Sequence, residues 1–176
     1  IHIGHLIIAN FIANNSDLEQ VWFIISPQNP LKTNQSILNK FHRKYLIDIA
    51  IEGENKLKSS TIEFNLPVPS YTIDTLTYLK EKHPDLSFSI IMGSDSLQNI
   101  SKWKNYQQIL NEYTILVYER PGFTVENKFN NVTILKAPML DVSSSNIRKM
   151  IKQGQSIKFL VPDVVKEEIE KNLYYK

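Results

Sequence analysis

The sequence predicts an α/β fold, a doubly wound parallel sheet with flanking helices, and three observations predict it. Short, almost continuously apolar runs at residues 20–26 and 113–118 are typical of parallel strands covered on both faces. Segments with apolar residues at helical spacing alternate with such runs, which indicates βαβ units. The third observation concerns the stretches after Ser26, Met92 and Tyr118, which contain Gly, Pro or acidic residues. These positions are predicted strand ends, where ligands of such sheets bind.

The individual elements follow from periodicity and from the residues that interrupt it. Pro27 and Pro30 force a loop after the first strand, and His83-Pro84 stops a helix. Gly53 lies just beyond the end of another helix. The predicted helices span residues 4–15, 36–50, 72–82, 106–111, 144–153 and 162–172, and the predicted strands span 20–26, 57–64, 88–92, 113–118 and 132–135.

Length and composition set the broad class of the protein. A chain of 176 residues fits one domain, 1–176, with a substantial core. The net charge of +2 comes without a Lys/Arg block, so no nucleic-acid partner is predicted. No apolar run approaches the roughly 20 residues of a membrane helix, so no membrane partner is predicted either. The chain has no cysteine, which excludes disulfides and thiolate metal sites and fits the cytoplasm. Domains of this size occur alone and as dimers, so homo-oligomerisation stays open.

The first candidate site lies in the opening five residues. His2 and His5 are three apart, so in a helical first turn they share one face. Gly4 between them leaves room for a ligand phosphate or backbone to come close. On spacing alone, histidines near a terminus are more often surface or capping residues than catalytic ones.

The second candidate site is the segment that begins at Asp141. Ser143, Ser144 and Ser145 supply hydroxyls at a predicted helix N-cap, and Arg148 follows one turn after Ser144. A triple serine before a helix is by itself usually a cap. Helix N-termini nevertheless attract anions through free N–H groups and the helix dipole. Two such starts, at opposite ends of one α/β pattern, favour a phosphate-binding function.

At these residues the sequence resembles the nucleotidyltransferase superfamily that carries HxGH before a helix and a late [ST]SSxIR element. Intervening segments narrow the resemblance to bacterial nicotinate-nucleotide adenylyltransferase, and it runs through essentially all 176 residues. Those segments are Ser26-Pro-Gln-Asn-Pro-Leu-Lys32, His42-Arg43, Pro69-Ser-Tyr-Thr72, Ile91-Met-Gly-Ser-Asp-Ser-Leu97 with Trp103, and Arg120-Pro-Gly122. The resemblance implies a Rossmann-like fold and transfer of the adenylyl group of ATP to nicotinate mononucleotide.

The resemblance also implies which residues hold ATP. His2, Gly4 and His5 would contact the phosphates, with His2 and His5 stabilising the transition state. Ser143, Ser144, Ser145 and Arg148 would hold the triphosphate from the opposite side, and Arg148 joins the two histidines as a catalytic residue. Mg²⁺ would travel with ATP, held mainly by phosphate and water, so no protein metal ligand is assigned.

For the pyridine nucleotide the resemblance implies a second set of residues. Trp103 offers an aromatic face to the nicotinate ring, and N–H groups near Tyr71 and Thr72 receive its carboxylate. Asp95 would accept from ribose hydroxyls, although a helix cap over residues 96–100 explains it equally well. The set also contains Lys32 and Arg120. The resemblance also implies that Lys32 and Arg43 contact phosphate. Without the resemblance, Trp103 reads as a partly buried aromatic, and Lys32 and Arg43 read as loop or helix-surface charges.

Two departures from the family and two competing functions remain. The family often has Pro-Pro-His-Lys where this chain has Asn29-Pro30-Leu31-Lys32, so the role of that His is lost. A strand and Gly-rich turn would precede Ile1, and we expect the chain to be truncated there.

Another HxGH enzyme, acting on nicotinamide mononucleotide or phosphopantetheine, is the nearest alternative. Pro69-Ser-Tyr-Thr72 and Trp103 argue against the latter. A non-catalytic nucleotide-binding module is disfavoured because the phosphate-binding residues are intact.

Overall fold

A computed structural model describes residues 1–30, 38–123, 129–138 and 140–176 of the chain. All strand pairs in this described part are parallel, which confirms the predicted α/β class. The described residues form two compact units. The first comprises Ile1–Pro27, the described residues of 31–65, and Asp141–Lys176, and the second comprises Gln28–Pro30 and the described residues of 66–140.

The first unit contains four helices and a pair of parallel strands. The strands pair in register from Val21 with Leu57 to Ile24 with Ser60. The β-branched and aromatic residues of the first strand favour this extended conformation. The elements are α1 (Ile3–Asn15), β1 (Val21–Ile24), α2 (Lys40–Ala50), β2 (Leu57–Ser60), α6 (Ser144–Lys152) and α7 (Asp163–Lys171).

Helix packing encloses the core of the first unit. Helix α1 packs against β1 and β2, and α2 packs against β2 and α7. Buried apolar side chains from α2, α6, α7 and the segment before α7 form one cluster, whose members are Leu46, Ile147, Ile151, Ile157, Val161, Val165 and Ile169. Gly53 lies beyond the end of α2, as predicted, two residues after the C-cap Ile51, and its φ of +83° gives the turn there a left-handed conformation.

The second unit is built on a three-stranded parallel sheet in the order β3-β4-β5. Ile115 and Val117 on the central strand have no exposed surface and lie in the middle of its core. Helix α4 packs against β3 and β4. The elements are α3 (Thr72–Lys82), β3 (Ser89–Gly93), α4 (Ser94–Gln98), α5 (Tyr106–Glu112), β4 (Thr114–Tyr118) and β5 (Val132–Leu135).

Two predicted elements differ from those observed. The predicted strand 57–64 ends at Ser60, and a 3-10 helix occupies Ile62–Asn65. The Ser60 hydroxyl accepts the Ile62 N–H at 3.4 Å, which starts a turn in place of further strand pairing. The predicted helix 36–50 begins at Lys40, because the Asn39 side chain accepts the Phe41 N–H and caps the helix there. Residues 36 and 37 lie outside the described part.

Among the helices of the described residues, none combines the length and the apolar character that crossing a bilayer requires.

Candidate active site

The two N-terminal histidines meet at the start of α1. His2 is the N-cap, with an extended backbone, and His5 lies in the first turn. Their rings stack, with centroids 3.7 Å apart and planes inclined by 30°. His2 is buried at 6% exposure, whereas His5 is exposed. The His5 ring is therefore the one open to an incoming ligand, and His2 forms the wall behind it.

Gly4 packs closely against the His2 ring, a contact that spacing did not predict. A Cβ at Gly4 would lie 3.1 Å from Cε1 and Nδ1 of His2, so the buried ring would have to give by a few tenths of an ångström. The same Cβ would lie 3.9 Å from Cβ of Val142. Val142 directly precedes Ser143, so the first unit brings the starts of α1 and α6 together.

The start of α6 has the predicted capping geometry. Ser143 is the N-cap, and its hydroxyl accepts the Asn146 N–H at 3.2 Å. Ser144 and Ser145 are the first helical residues, and Arg148 Nη2 donates to the Ser145 hydroxyl at 3.1 Å. Within the described part of the chain, no carboxylate forms an ion pair with Arg148. A guanidinium at a helix start, without an acidic partner, suits an anionic ligand.

Tyr175 adds a phenol to the surroundings of Arg148. Burial raises the pKa of Tyr175, and the positive charges of Arg148 and Arg43 oppose that rise. Burial likewise lowers the pKa of Arg43, and Tyr175 opposes that change. No periodicity or motif pointed to Tyr175. The folding of the residues after α7 places it beside the two arginines.

In the second unit, Tyr71 and Thr72 lie at the start of α3. Tyr71 is the N-cap and Thr72 the first helical residue. The Lys104 ammonium lies 4.9 Å from the centre of the Tyr71 ring and forms an ion pair with Asp74 at 2.8 Å. No site role was predicted for Lys104, although it directly follows Trp103, a predicted site residue. The arrangement puts a cation beside the N-terminus of α3.

The end of β3 carries the predicted acidic residue and its partner. Asp95 Oδ2 and Arg120 Nη1 are 3.0 Å apart, and both side chains are about one-third exposed. Asp95 lies inside α4, whose N-cap is Gly93 and has no side-chain cap. The predicted alternative, Asp95 as a cap over residues 96–100, is therefore wrong. The ion pair with Arg120 orients the carboxylate.

Gly93 and Ser94 support this ion pair, and the sequence reasoning did not single them out as site residues. A Cβ on Gly93 would lie 2.5 Å from Asp95 Oδ1 and 2.9 Å from Arg120 Cδ, so a side chain there would displace the ion pair. The fully buried Ser94 hydroxyl accepts the Arg120 N–H at 2.9 Å. The Gly-Ser pair at a strand end was the available signal.

Trp103 follows the 3-10 helix Ile100–Lys102 and is half-buried. It packs against the core cluster of the second unit, as an ordinary partly buried aromatic does. The remaining exposed part of the ring is free to contact a ligand. Lys32, also predicted for the mononucleotide, lies outside the described residues.

Known proteins with similar sequences define the family of this chain. The family model described as cytidylyltransferase-like matches residues 1–150, so fold and site define a nucleotidyltransferase of that class. The chain is 47% identical to the "probable nicotinate-nucleotide adenylyltransferase" of Cytophaga hutchinsonii, over 99% of this chain and 92% of that protein. Identity to the protein of the same name from Flavobacterium psychrophilum is also 47%, over 100% and 93%. The chain therefore belongs to the nicotinate-nucleotide adenylyltransferase family.

A solved structure has the same fold. The Plasmodium falciparum nicotinic acid mononucleotide adenylyltransferase complexed with NaAD superposes with a TM-score of 0.86, covering 99% of this chain and 91% of that one. Its sequence identity is 23%, so this likeness supports the α/β fold and not the individual site residues.

Proposed function

We propose that this chain transfers the adenylyl group of ATP to nicotinate mononucleotide, giving deamido-NAD and pyrophosphate. The observation that carries the proposal is the stacked His2–His5 pair at the start of α1, next to the segment that enters α6. The membership of this chain in the nicotinate-nucleotide adenylyltransferase family points to the same reaction.

The reaction requires positioning and charge neutralisation more than a protein nucleophile. An oxygen of the mononucleotide phosphate attacks the α-phosphorus of ATP. The bond from that phosphorus to the bridging oxygen breaks, and pyrophosphate leaves with the electron pair. Negative charge grows on the transferred group and on the leaving group. The imidazole of His5, the guanidinium of Arg148 and helix N–H groups are suited to stabilise that charge.

Each ATP-side residue has a distinct proposed role. His5 contacts the phosphates and stabilises the transition state from its exposed position, and His2 contacts them where its ring borders the site. Gly4 allows the rings to stack. Ser143 orders the start of α6 as its cap, while Ser144 and Ser145 present hydroxyl and N–H donors to the triphosphate. Arg148, held by the Ser145 hydroxyl, grips phosphate oxygens.

The mononucleotide-side residues lie in the second unit, apart from Lys32. We assign the N–H groups after Tyr71, at Thr72, to the nicotinate carboxylate and the Trp103 ring to stacking. Asp95, oriented by Arg120, accepts from ribose hydroxyls. Lys32 remains a proposed phosphate contact on the basis of the resemblance.

Mg²⁺ is proposed to enter with ATP and to neutralise charge on its phosphates when bound. The described residues contain no group of three or more His, Asp or Glu side chains that could hold a metal ion. The donor set of the first unit is cationic and hydroxylic, which fits a metal held mainly by phosphate and water. We place the enzyme in the cytoplasm, with ATP and nicotinate mononucleotide as its partners.

A pyrophosphate-release assay tests the function. The full-length enzyme with ATP and Mg²⁺ should release pyrophosphate with nicotinate mononucleotide, and at least about tenfold more slowly with nicotinamide mononucleotide, because only the acid carries a carboxylate for the N–H donors. Phosphopantetheine is the negative control. Release with phosphopantetheine and none with nicotinate mononucleotide would overturn the proposal.

The stacking role of Trp103 has its own test. Trp103→Ala should weaken nicotinate mononucleotide binding by about 1–3 kcal/mol and leave ATP binding nearly intact. Calorimetric titration of each ligand separately measures this, with Trp22→Ala as the matched tryptophan control. Equal losses for both ligands would assign Trp103 to packing alone.

A further inference from the structure

The His42-Arg43 pair of α2 is the motif that the proposed chemistry leaves unused. The resemblance suggested that Arg43 contacts phosphate. In the structure its guanidinium is engaged by main-chain carbonyls: Nη1 donates to Ser26 O at 2.7 Å, Nε to Leu38 O at 2.9 Å, and Nη2 to Pro27 O at 3.4 Å. Each nitrogen of the planar fork thus has a carbonyl acceptor.

The three carbonyls lie after the end of β1 and before the start of α2. Ser26 and Pro27 directly follow the β1 strand, whose pairing extends to Ile25 through the Ser60 carbonyl at 3.1 Å. Leu38 directly precedes Asn39, the N-cap of α2. One side chain therefore ties the carboxyl end of β1 to the beginning of α2. The carboxyl ends of parallel strands form the edge where ligands of such folds bind.

The helix that carries Arg43 is itself fixed. Its neighbour His42 shares a hydrogen bond of 2.8 Å between Nδ1 and the Tyr174 hydroxyl. Leu46, one turn further on, is buried in the core of the first unit. The helix that carries Arg43 is therefore anchored by a surface hydrogen bond and by packing in the core. A side chain that positions other groups requires such a fixed support.

Charge balance is consistent with the same role. No carboxylate in the described chain pairs with Arg43. The guanidinium is partly buried, and its hydrogen bonds go to neutral acceptors. Losing it would remove this donor from up to three carbonyls, two after β1 and one before α2, which is costly where water cannot replace it.

We propose that Arg43 is a positioning residue for adenylyl transfer, which ties the main chain after β1, through the Ser26 and Pro27 carbonyls, to the Leu38 carbonyl before α2 and does not act as a phosphate ligand. This inference rests on the activity proposed above. Misplacement of a ligand-binding edge by about 1 Å lowers the rate of chemistry by up to about 100-fold with little loss of binding. The charge of Arg43 is less important here than the shape of its fork, which Lys does not reproduce.

The test uses the full-length enzyme with Arg43→Lys, Arg43→Gln and, as a matched control on the same helix, Lys44→Gln. Lys44 pairs with Asp48 and touches none of the three carbonyls. In Arg43→Lys we expect kcat per folded molecule to fall about 10- to 100-fold, with each KM within about threefold of wild type. Arg43→Gln should behave like Arg43→Lys, and Lys44→Gln like wild type.

A phosphate ligand gives the opposite pattern. Near-normal kcat in Arg43→Lys, with a salt-sensitive rise of KM in Arg43→Gln, would overturn the inference. A lowered melting temperature with unchanged kcat per folded molecule would also overturn it, because Arg43 would then be merely structural. An equal loss of kcat in Lys44→Gln would show that the effect is not specific to the fork.

Hydrogen exchange supplies a readout independent of catalysis. In Arg43→Gln, backbone amides in peptides covering residues 24–27 and 38–42 should exchange faster than in wild type, while those of β4 should not. Unchanged exchange in Arg43→Gln would overturn the positioning role, even if Arg43→Lys failed to fold. If wild type releases no pyrophosphate with nicotinate mononucleotide, the proposed function fails, and the exchange result still decides whether Arg43 holds this edge.

Discussion

His2 and His5 illustrate how two identical side chains acquire different roles from their surroundings. Burial in the N-cap position makes His2 a fixed wall, and exposure leaves His5 able to reach a ligand. We expect His5→Ala to lower kcat by about two to four orders of magnitude, the range for a positioned charge-stabilising or acid–base group. Mononucleotide affinity should change little, as measured by calorimetry.

The control for this prediction is His83→Ala, because His83 ends α3 and has no proposed catalytic role. It should keep the wild-type kcat. If His5→Ala retained near-full turnover, His5 would have no place in the mechanism.

Gly93 shows that a residue without a side chain can determine a charged contact. Gly93→Ala would put a Cβ 2.5 Å from Asp95 Oδ1 and 2.9 Å from Arg120 Cδ, so the ion pair must shift. We expect a loss of about 1–3 kcal/mol in the free energy of unfolding, typical of overpacking, together with weaker mononucleotide binding. Urea unfolding and calorimetry measure the two effects. Gly122→Ala is the steric control, since no atom of the described residues, apart from its chain neighbours, lies within 4 Å of its Cβ position, although its φ of +81° adds backbone strain. A stable Gly93→Ala with normal mononucleotide affinity would contradict the steric argument.

At the scale of an element, substitutions in α6 distinguish helix capping from ligand binding. Ser143→Ala removes the acceptor of the Asn146 N–H and should lower the free energy of unfolding by about 0.5–2 kcal/mol. Arg148→Lys keeps the charge but loses the planar fork, so KM for ATP should rise while the melting temperature barely moves. Both are measured with saturating magnesium.

The two variants together decide what the start of α6 does. Unchanged ATP kinetics in Arg148→Lys, with a lowered melting temperature in Ser143→Ala, would leave a helix cap and no triphosphate site. Lys149→Gln serves as the charge control, because Lys149 is exposed on the same helix.

At the scale of the whole molecule, partly or fully buried phenols make stability depend on pH. Burial raises the pKa of Tyr118 above its ordinary value of 10.0, with Arg120 opposing and Asp95 adding to the rise. Burial also raises the pKa of Tyr113 and of Tyr175. The folded state therefore keeps these protons longer than the unfolded chain. This contribution to stability is complete below the unfolded pKa and is lost as pH rises through the folded pKa.

We therefore expect the free energy of unfolding to fall above about pH 10, by up to about 1.4 kcal/mol per pH unit for each phenol that still holds its proton. Urea unfolding between about pH 8 and about pH 11 measures the slope. Tyr118→Phe should have a shallower slope, and an identical slope would show that Tyr118 does not contribute.

The class of the fold and most of its elements were predictable because they depend on local patterns. The continuous apolar run at residues 20–26 indicated β1, and the apolar spacing of 72–82 indicated α3 with its observed bounds. Caps were predictable for the same reason, since Ser143 needs only the three residues that follow it. Residues 57–64 were partly misjudged because the Ser60 hydroxyl accepts the Ile62 N–H and a 3-10 helix replaces the end of the predicted strand.

The pairing of His2 and His5 was also predictable, because they are three residues apart at a helix start. The sequence by itself thus determined the fold class, most element boundaries, the family and the two helix starts to which we assign the phosphate chemistry. Local periodicity and short motifs contain that information.

Only the tertiary structure decided contacts between residues far apart in the chain. These include the Asp95–Arg120 pair, the Ser94 support for Arg120, and the proximity of Gly4 to Val142. The three carbonyls bound by Arg43 belong to the same group, because their positions depend on where β1 ends and α2 begins. Such contacts arise from how elements pack, and packing depends on the summed shapes of many side chains. No local pattern contains it.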